Sequence, residues 1–223
     1  NRPYHREQWK DATAQISGPF IRDKFWYFLS FEYQRDWDSQ PGVDPAYPAK
    51  SDSRRMFWKF NYSINDSNRL LAGYHDDFYW IPQAATAFTA PNTISLNHGH
   101  NPTPNLVYTG VLSSRTLIEA RFSGFWLQSS TDPNEEGQSR GGVRVTDDAT
   151  GRVSGSITQW TENRSWRYGL QGKLSHDADD FMGGSHDRKI GLQCGTNGSE
   201  ILNGPNDTER IAATGRRTGT TQL

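Results

Sequence analysis

The histidine pair at His98-Gly99-His100 could present two imidazoles to a metal from within a long loop. No third ligand is fixed by spacing, so a solvated loop is the competing reading and metal binding by His98 and His100 stays open. Asp177, Asp179 and Asp180 resemble a cation cluster, but the Asp-x-Asp-x-Asp-Gly order of a calcium loop is missing, and turn composition accounts for them. His75-Asp76-Asp77 and the pair Glu119 and Arg121 put opposite charges close together, as side chains facing water between strands do. Nucleophilic catalysis has little to work with. No Gly-x-Ser-x-Gly elbow occurs, and Gly151-Arg152-Val153-Ser154-Gly155 does not fit one. Glu135-Glu136 and Asp147-Asp148 fall in loops and read as solvated. Cys194 lies on an apolar strand face, which suits a small lipid-facing or packed residue better than a reactive thiolate. No residue is assigned to catalysis, to a cofactor or to a metal, the chain is not expected to be an enzyme, and substrate-binding residues are unknown.

The elements that must carry these residues follow from hydrophobic alternation. Phe25, Tyr27, Leu29, Phe31 and Tyr33 share one face of an extended segment; Lys24, Ser30, Glu32 and Gln34 share the other with Trp26 and Phe28. Met56, Trp58, Phe60, Tyr62 and Ile64 repeat the scheme. After the turn composition of Asn65-Asp66-Ser67-Asn68, so do Leu70, Ala72, Tyr74, Phe78 and Trp80, with Asp76 the one lapse. Ile118, Ala120, Phe122, Gly124 and Trp126 form a further apolar face, as do Trp166, Tyr168, Leu170 and Leu174, and then Ile190, Leu192 and Cys194. Connections alternate between short (18–23, 65–68, 113–115) and long (36–53, 81–105, 130–163), with 175–185 intermediate.

Composition narrows the class. The 223 residues include 11 Phe, 9 Tyr and 8 Trp, yet only 33% are hydrophobic, and mean hydropathy is −0.84. No apolar run reaches the ~20 residues of a membrane-spanning helix. Basic and acidic residues balance at 24 against 25, which removes the electrostatic reason to expect nucleic acid. One cysteine excludes an internal disulfide framework. A soluble sandwich has no reason to gather its long loops at one end; an outer-membrane barrel has, because it joins alternating strands by short periplasmic turns and long extracellular loops. A soluble β-sandwich or propeller that binds carbohydrate through exposed Trp and Tyr is the alternative.

The stretch Ser17-Gly18-Pro19-Phe20-Ile21-Arg22-Asp23-Lys24-Phe25-Trp26-Tyr27-Phe28, followed by Ser30-Phe31-Glu32-Tyr33-Gln34-Arg35, resembles a segment of the barrels of Oar-like TonB-dependent outer-membrane transporters. Phe60 to Leu70 looks like their next hairpin, and His186-Asp187-Arg188-Lys189-Ile190-Gly191 like a later strand start. Ser17 departs from the usual glycine, and nothing matches a plug domain, a TonB box or a terminal aromatic strand. The resemblance implies an all-β chain, an antiparallel up-and-down transmembrane β-barrel segment of about eight strands from a larger barrel. The resemblance covers most of Gln15 to Cys194; the barrel segment is expected over residues 1–194, with 195–223 a polar loop or tail. It also implies location in the cell outer membrane, with lipid as one partner. By the same resemblance, a TonB energy complex would act through a plug absent from this chain, and loops such as 81–105 and 130–163 would capture an unknown nutrient.

Overall fold

A computed structural model describes residues 4–83, 85–90, 93–133, 140–181 and 184–220. Glu135 and Glu136 lie outside them, as do the side chains of Asp179 and Asp180.

The long strands are β1 (Arg6–Ile21), β2 (Phe25–Asp38), β3 (Ala49–Asn65), β4 (Asn68–Pro82), β5 (Ser95–His100), β6 (Thr103–Ser113) and β7 (Thr116–Pro133). The short β8 (Arg144–Asp147) and β9 (Val153–Gly155) come next. They are followed by β10 (Gln159–Phe181), β11 (Gly184–Pro205) and the short β12 (Thr208–Ile211) and β13 (Arg217–Thr220). All pairing in the large sheet is antiparallel, in the order β1-β2-β3-β4-β5-β7-β10-β11, with β6 continuing the line of β5 between β4 and β7. Counting β5 and β6 as one interrupted strand gives the eight strands expected. This is an all-β, up-and-down barrel segment.

The registers show why the alternation was so legible. Leu29 pairs with Trp58, Trp58 with Tyr74, and Leu29 also with Ile16, so apolar positions line up across four strands. Phe122 pairs with Leu106 and Leu170, and Leu170 with Cys194, extending the same face across the other four. Rings meet along it: Trp58 and Tyr74 at 5.1 Å, and Trp126 and Tyr168 edge-on at 5.0 Å. Such cross-strand aromatic pairs stabilise a sheet by up to about 1 kcal/mol each. At two positions a ring takes the place of a side chain. The indoles of Trp166 and Trp160 lie so close over Gly198 and Gly204 that a Cβ there would meet them at 2.2 and 2.4 Å.

Among the described residues no second layer covers this face; the other sheet, β13-β12-β8-β9, is a small one built from the short strands that follow β7 and β11. Among the described residues the buried hydrophobic core is only Ala85, Leu96 and Ile157, while Ile190 and Leu192 are 72% and 76% exposed. A soluble sandwich buries its aromatics between two sheets; here the apolar face of one sheet stands open, which counts against the alternative reading.

Each of the four short turns carries a register shift beside it, at Pro19/Ile21, Ser63/Asn65, Val111/Ser113 and Ala178/Phe181. Bulges at hairpin ends raise the local twist. In the first turn Lys24 N–H donates to Ile21 O at 3.1 Å, with Asp23 left-handed at φ 59, a conformation a short polar side chain tolerates. Gly18 and Pro19 belong to β1 rather than to that turn, opposite Tyr27 and Trp26.

Other boundaries are corrected. The polar tail expected over 195–223 is strand up to Pro205, in register with β10 from Gly195↔Gly169 to Pro205↔Gln159, and β12 and β13 follow. Loop 81–105 contains β5, and 130–163 contains β8 and β9. The connection at 175–185 is a tight hairpin, since β10 runs to Phe181 and β11 starts at Gly184. In each case the backbone keeps pairing where both faces are polar, so the alternation fades before the strand ends.

Candidate functional site

The polar face carries a line of charges across strands. Arg55 on β3 bridges Glu32 on β2 and Asp77 on β4, the latter at 3.5 Å, and His75 Nε2 lies 3.3 Å from the same Asp77 oxygen. The registers Glu32↔Arg55↔Asp77 and Phe57↔His75 place all four on one side. Arg121 and Glu119 pair along β7 at 3.3 Å rather than across strands. Gln171 and Lys173 stand opposite them on β10. A wall of this kind offers alternating charges and amides to water and to polar solute.

Asp76 is the exception that the alternation exposed. It sits on the apolar face and is 1% exposed. It accepts hydrogen bonds from Tyr74 Oη at 2.8 Å and from the Asn101 backbone N–H at 3.0 Å, with His100 Nδ1 at 3.3 Å. Asn101 is the break between β5 and β6. The carboxylate therefore satisfies the backbone where the strand line is interrupted, a role that nothing in the sequence around Asp76 signalled.

His98 and His100 lie on β5, a strand rather than a loop, both on the apolar face. Their partners are carboxylates: His98 Nε2 is 3.0 Å from Asp132 Oδ2, and His100 is held by Asp76. Among the described residues no group of three His, Cys, Asp or Glu is placed to hold a metal ion. Asp177 pairs opposite Asp187 near the β10–β11 turn, and its N–H donates to Arg115 O at 2.9 Å. Cys194 is exposed on the apolar face of β11. Asp147 ends β8 and accepts from the Ala149 N–H, while Asp148 faces Arg210 at 3.7 Å.

At the long-loop end, two polar nodes fix the loop segments. Arg140 donates to Asp132 at 2.6 Å, lies 3.6 Å from Glu162 and stacks 4.3 Å over the Trp160 ring. Burial alone would raise the Asp132 carboxyl; the hydrogen bonds from Arg140 and His98 outweigh it and hold the group below the ordinary 3.8. The buried Asn206 joins three segments. Its amide donates to Ser156 Oγ at 3.1 Å and Ile157 O at 2.7 Å, and its carbonyl accepts from Gly141 N–H at 2.9 Å.

Below these nodes, on the apolar face, a groove of about 1020 Å³ opens between β2, β3, β4 and β5, with Arg35, Lys50, Arg54, Trp37 and Trp80 along it. Arg35 is bidentate on Asp52, both contacts at 2.8 Å.

A large open sheet, apolar on one face and charged on the other, with tight turns at one end and built loops at the other, is the pattern of a β-barrel wall segment. Comparison with solved structures agrees: the crystal structure of the outer membrane transporter YddB from Escherichia coli superposes with a TM-score of 0.70 at 12% identity, over 93% of this chain. At that identity the likeness is one of fold, and this chain spans 28% of that transporter's length. No family model matches the chain, and no curated protein matches it.

Proposed function

We propose that this chain is part of the barrel of a TonB-dependent outer-membrane receptor of the Oar-like type, which takes up a nutrient across the outer membrane. The observation that carries the reading is the large sheet whose aromatic face has nothing over it among the described residues while its other face is laced with ion pairs. In this reading the apolar face meets lipid, since an arginine or lysine at the bilayer midplane costs roughly 2–4 kcal/mol and none stands at mid-strand there among the described residues. The polar face with Glu32, Arg55, Asp77, Glu119 and Arg121 lines the lumen. The segments pinned by Asp132 and Asn206 form the extracellular mouth that captures substrate, and the energy complex acts through a plug. The role is transport, with no chemistry on the cargo.

Fractionation of the source cell tests the location. The protein should sediment with the outer membrane and enter solution only with detergent; recovery in the aqueous fraction without detergent contradicts the reading. Uptake of its nutrient should stop when the proton motive force is discharged, and uptake that continues contradicts TonB dependence.

A further inference from the structure

We propose that the arginine face of the small sheet β13-β12-β8-β9 binds a hydroxylated solute carrying a single carboxylate, a sugar acid; this names the cargo class of the mouth described above and rests on that reading. Alternation builds the face. In Arg144-Val145-Thr146-Asp147 and Thr208-Glu209-Arg210-Ile211 every second side chain points the same way, and the parallel register sets Arg144 beside Thr208 and Thr146 beside Arg210. On the far side of β12, β13 pairs antiparallel and adds Thr218 next to Arg210. The two arginines thus stand on a diagonal, with Thr146 and Thr208 at the other two corners. Val145, Asp147, Glu209 and Ile211 belong to the opposite face. A cavity of about 360 Å³ lies over the arginine face, with Thr158 also lining it, a volume within the range of small-molecule sites.

Charge and hydrogen bonding select the ligand. Arg210 lies 3.7 Å from Asp148, and Glu209 is 3.9 Å from Arg217 on the opposite face. Arg144 is half-buried in β8 and has no acidic partner among the described residues. One positive charge is left over, which matches a carboxylate better than a dianionic phosphate. The guanidinium fork takes a carboxylate through two parallel N–H donors. Threonine hydroxyls both donate and accept, as the hydroxyls of a sugar ring require. No aromatic or aliphatic side chain lines the cavity among the described residues, so an apolar cargo has nothing there to bury against.

The test uses the full-length protein purified in mild detergent and titrated calorimetrically with galacturonate, with galactose as its uncharged counterpart, and with inorganic phosphate. Galacturonate should bind about tenfold or more tightly than either, the margin of a hydrogen-bonded charge pair. Arg144→Gln should weaken it about tenfold to a hundredfold, the loss expected when a charged donor is removed. Thr208→Val should weaken it about fivefold and keeps a β-branched residue in the strand, so a readout remains if Arg144→Gln does not assemble. Arg217→Gln, on the opposite face, should change nothing. Equal binding of galacturonate and galactose, tighter binding of inorganic phosphate, no binding of galacturonate, or an equal loss with Arg217→Gln would overturn the proposal. A protein that fractionates with the outer membrane yet ignores galacturonate refutes this site alone; one recovered in the aqueous fraction refutes the membrane reading, whether or not galacturonate binds.

Discussion

Single residues at the strand interruptions and loop anchors carry more weight than their number implies. Asp76 is buried with three partners, so Asp76→Ala removes the acceptor for the Asn101 N–H and for Tyr74 at once. A loss of about 2–4 kcal/mol is expected, within the range for charged, buried hydrogen bonds, whereas Asp76→Asn should keep part of it. Urea midpoints of the membrane-extracted protein measure the difference; equal midpoints for both variants and wild type would refute the role. Asp132 gives a pH prediction with a definite sign. Its carboxyl is held below 3.8 when folded, so the anchoring of Arg140 is fully present above that value and is lost as pH falls through the folded one. Arg140 is 38% exposed, which limits the effect to about 1 kcal/mol. Cleavage in the 140–143 segment by an acid protease should rise steeply below pH 4, and Asp132→Asn should be cleaved equally across the range. A wild type cleaved equally at all pH values would contradict the anchor. Neither role was visible in the sequence: Asp76 showed only as a flaw in an alternating pattern, and Asp132 became meaningful only once β5 brought His98 beside it.

Strands read well where physics alternates and poorly where it does not. From Phe25 to Tyr33, Met56 to Ile64 and Ile118 to Trp126, one face is apolar and the other polar, and the structure follows that facing pair by pair. Residues 195–205 alternate nothing, being Gly, Thr, Asn and Ser with few apolar side chains, yet they extend β11 because β10 offers a continuous partner. Pairing of that sort is a property of the neighbour strand rather than of the segment. The facing itself predicts a contrast between adjacent residues on β7. Phe122→Arg places a charge on the apolar face at a cost of roughly 2–4 kcal/mol and should prevent assembly, while Arg121→Ala on the other face should leave assembly intact. Heat-modifiable gel mobility of the outer-membrane fraction reads both; equal tolerance would reject the assigned faces.

At the scale of the molecule, an aromatic chain of low mean hydropathy is the sum of an apolar face, a charged face and polar segments at one end. β1 and β11 are the edge strands of this sheet, and unpaired edges are templates for aggregation, so the chain by itself in water should associate unless its edges are paired. The central claim is that one face of this sheet meets lipid and the other water. Cysteines placed singly at 167 to 173 of β10, in a Cys194→Ala background, and challenged in intact outer membranes with a water-soluble maleimide test it most directly. Positions 167, 169, 171 and 173 should label, and 168, 170 and 172 should be protected until the membrane is dissolved. Uniform labelling, or the opposite alternation, would contradict the account.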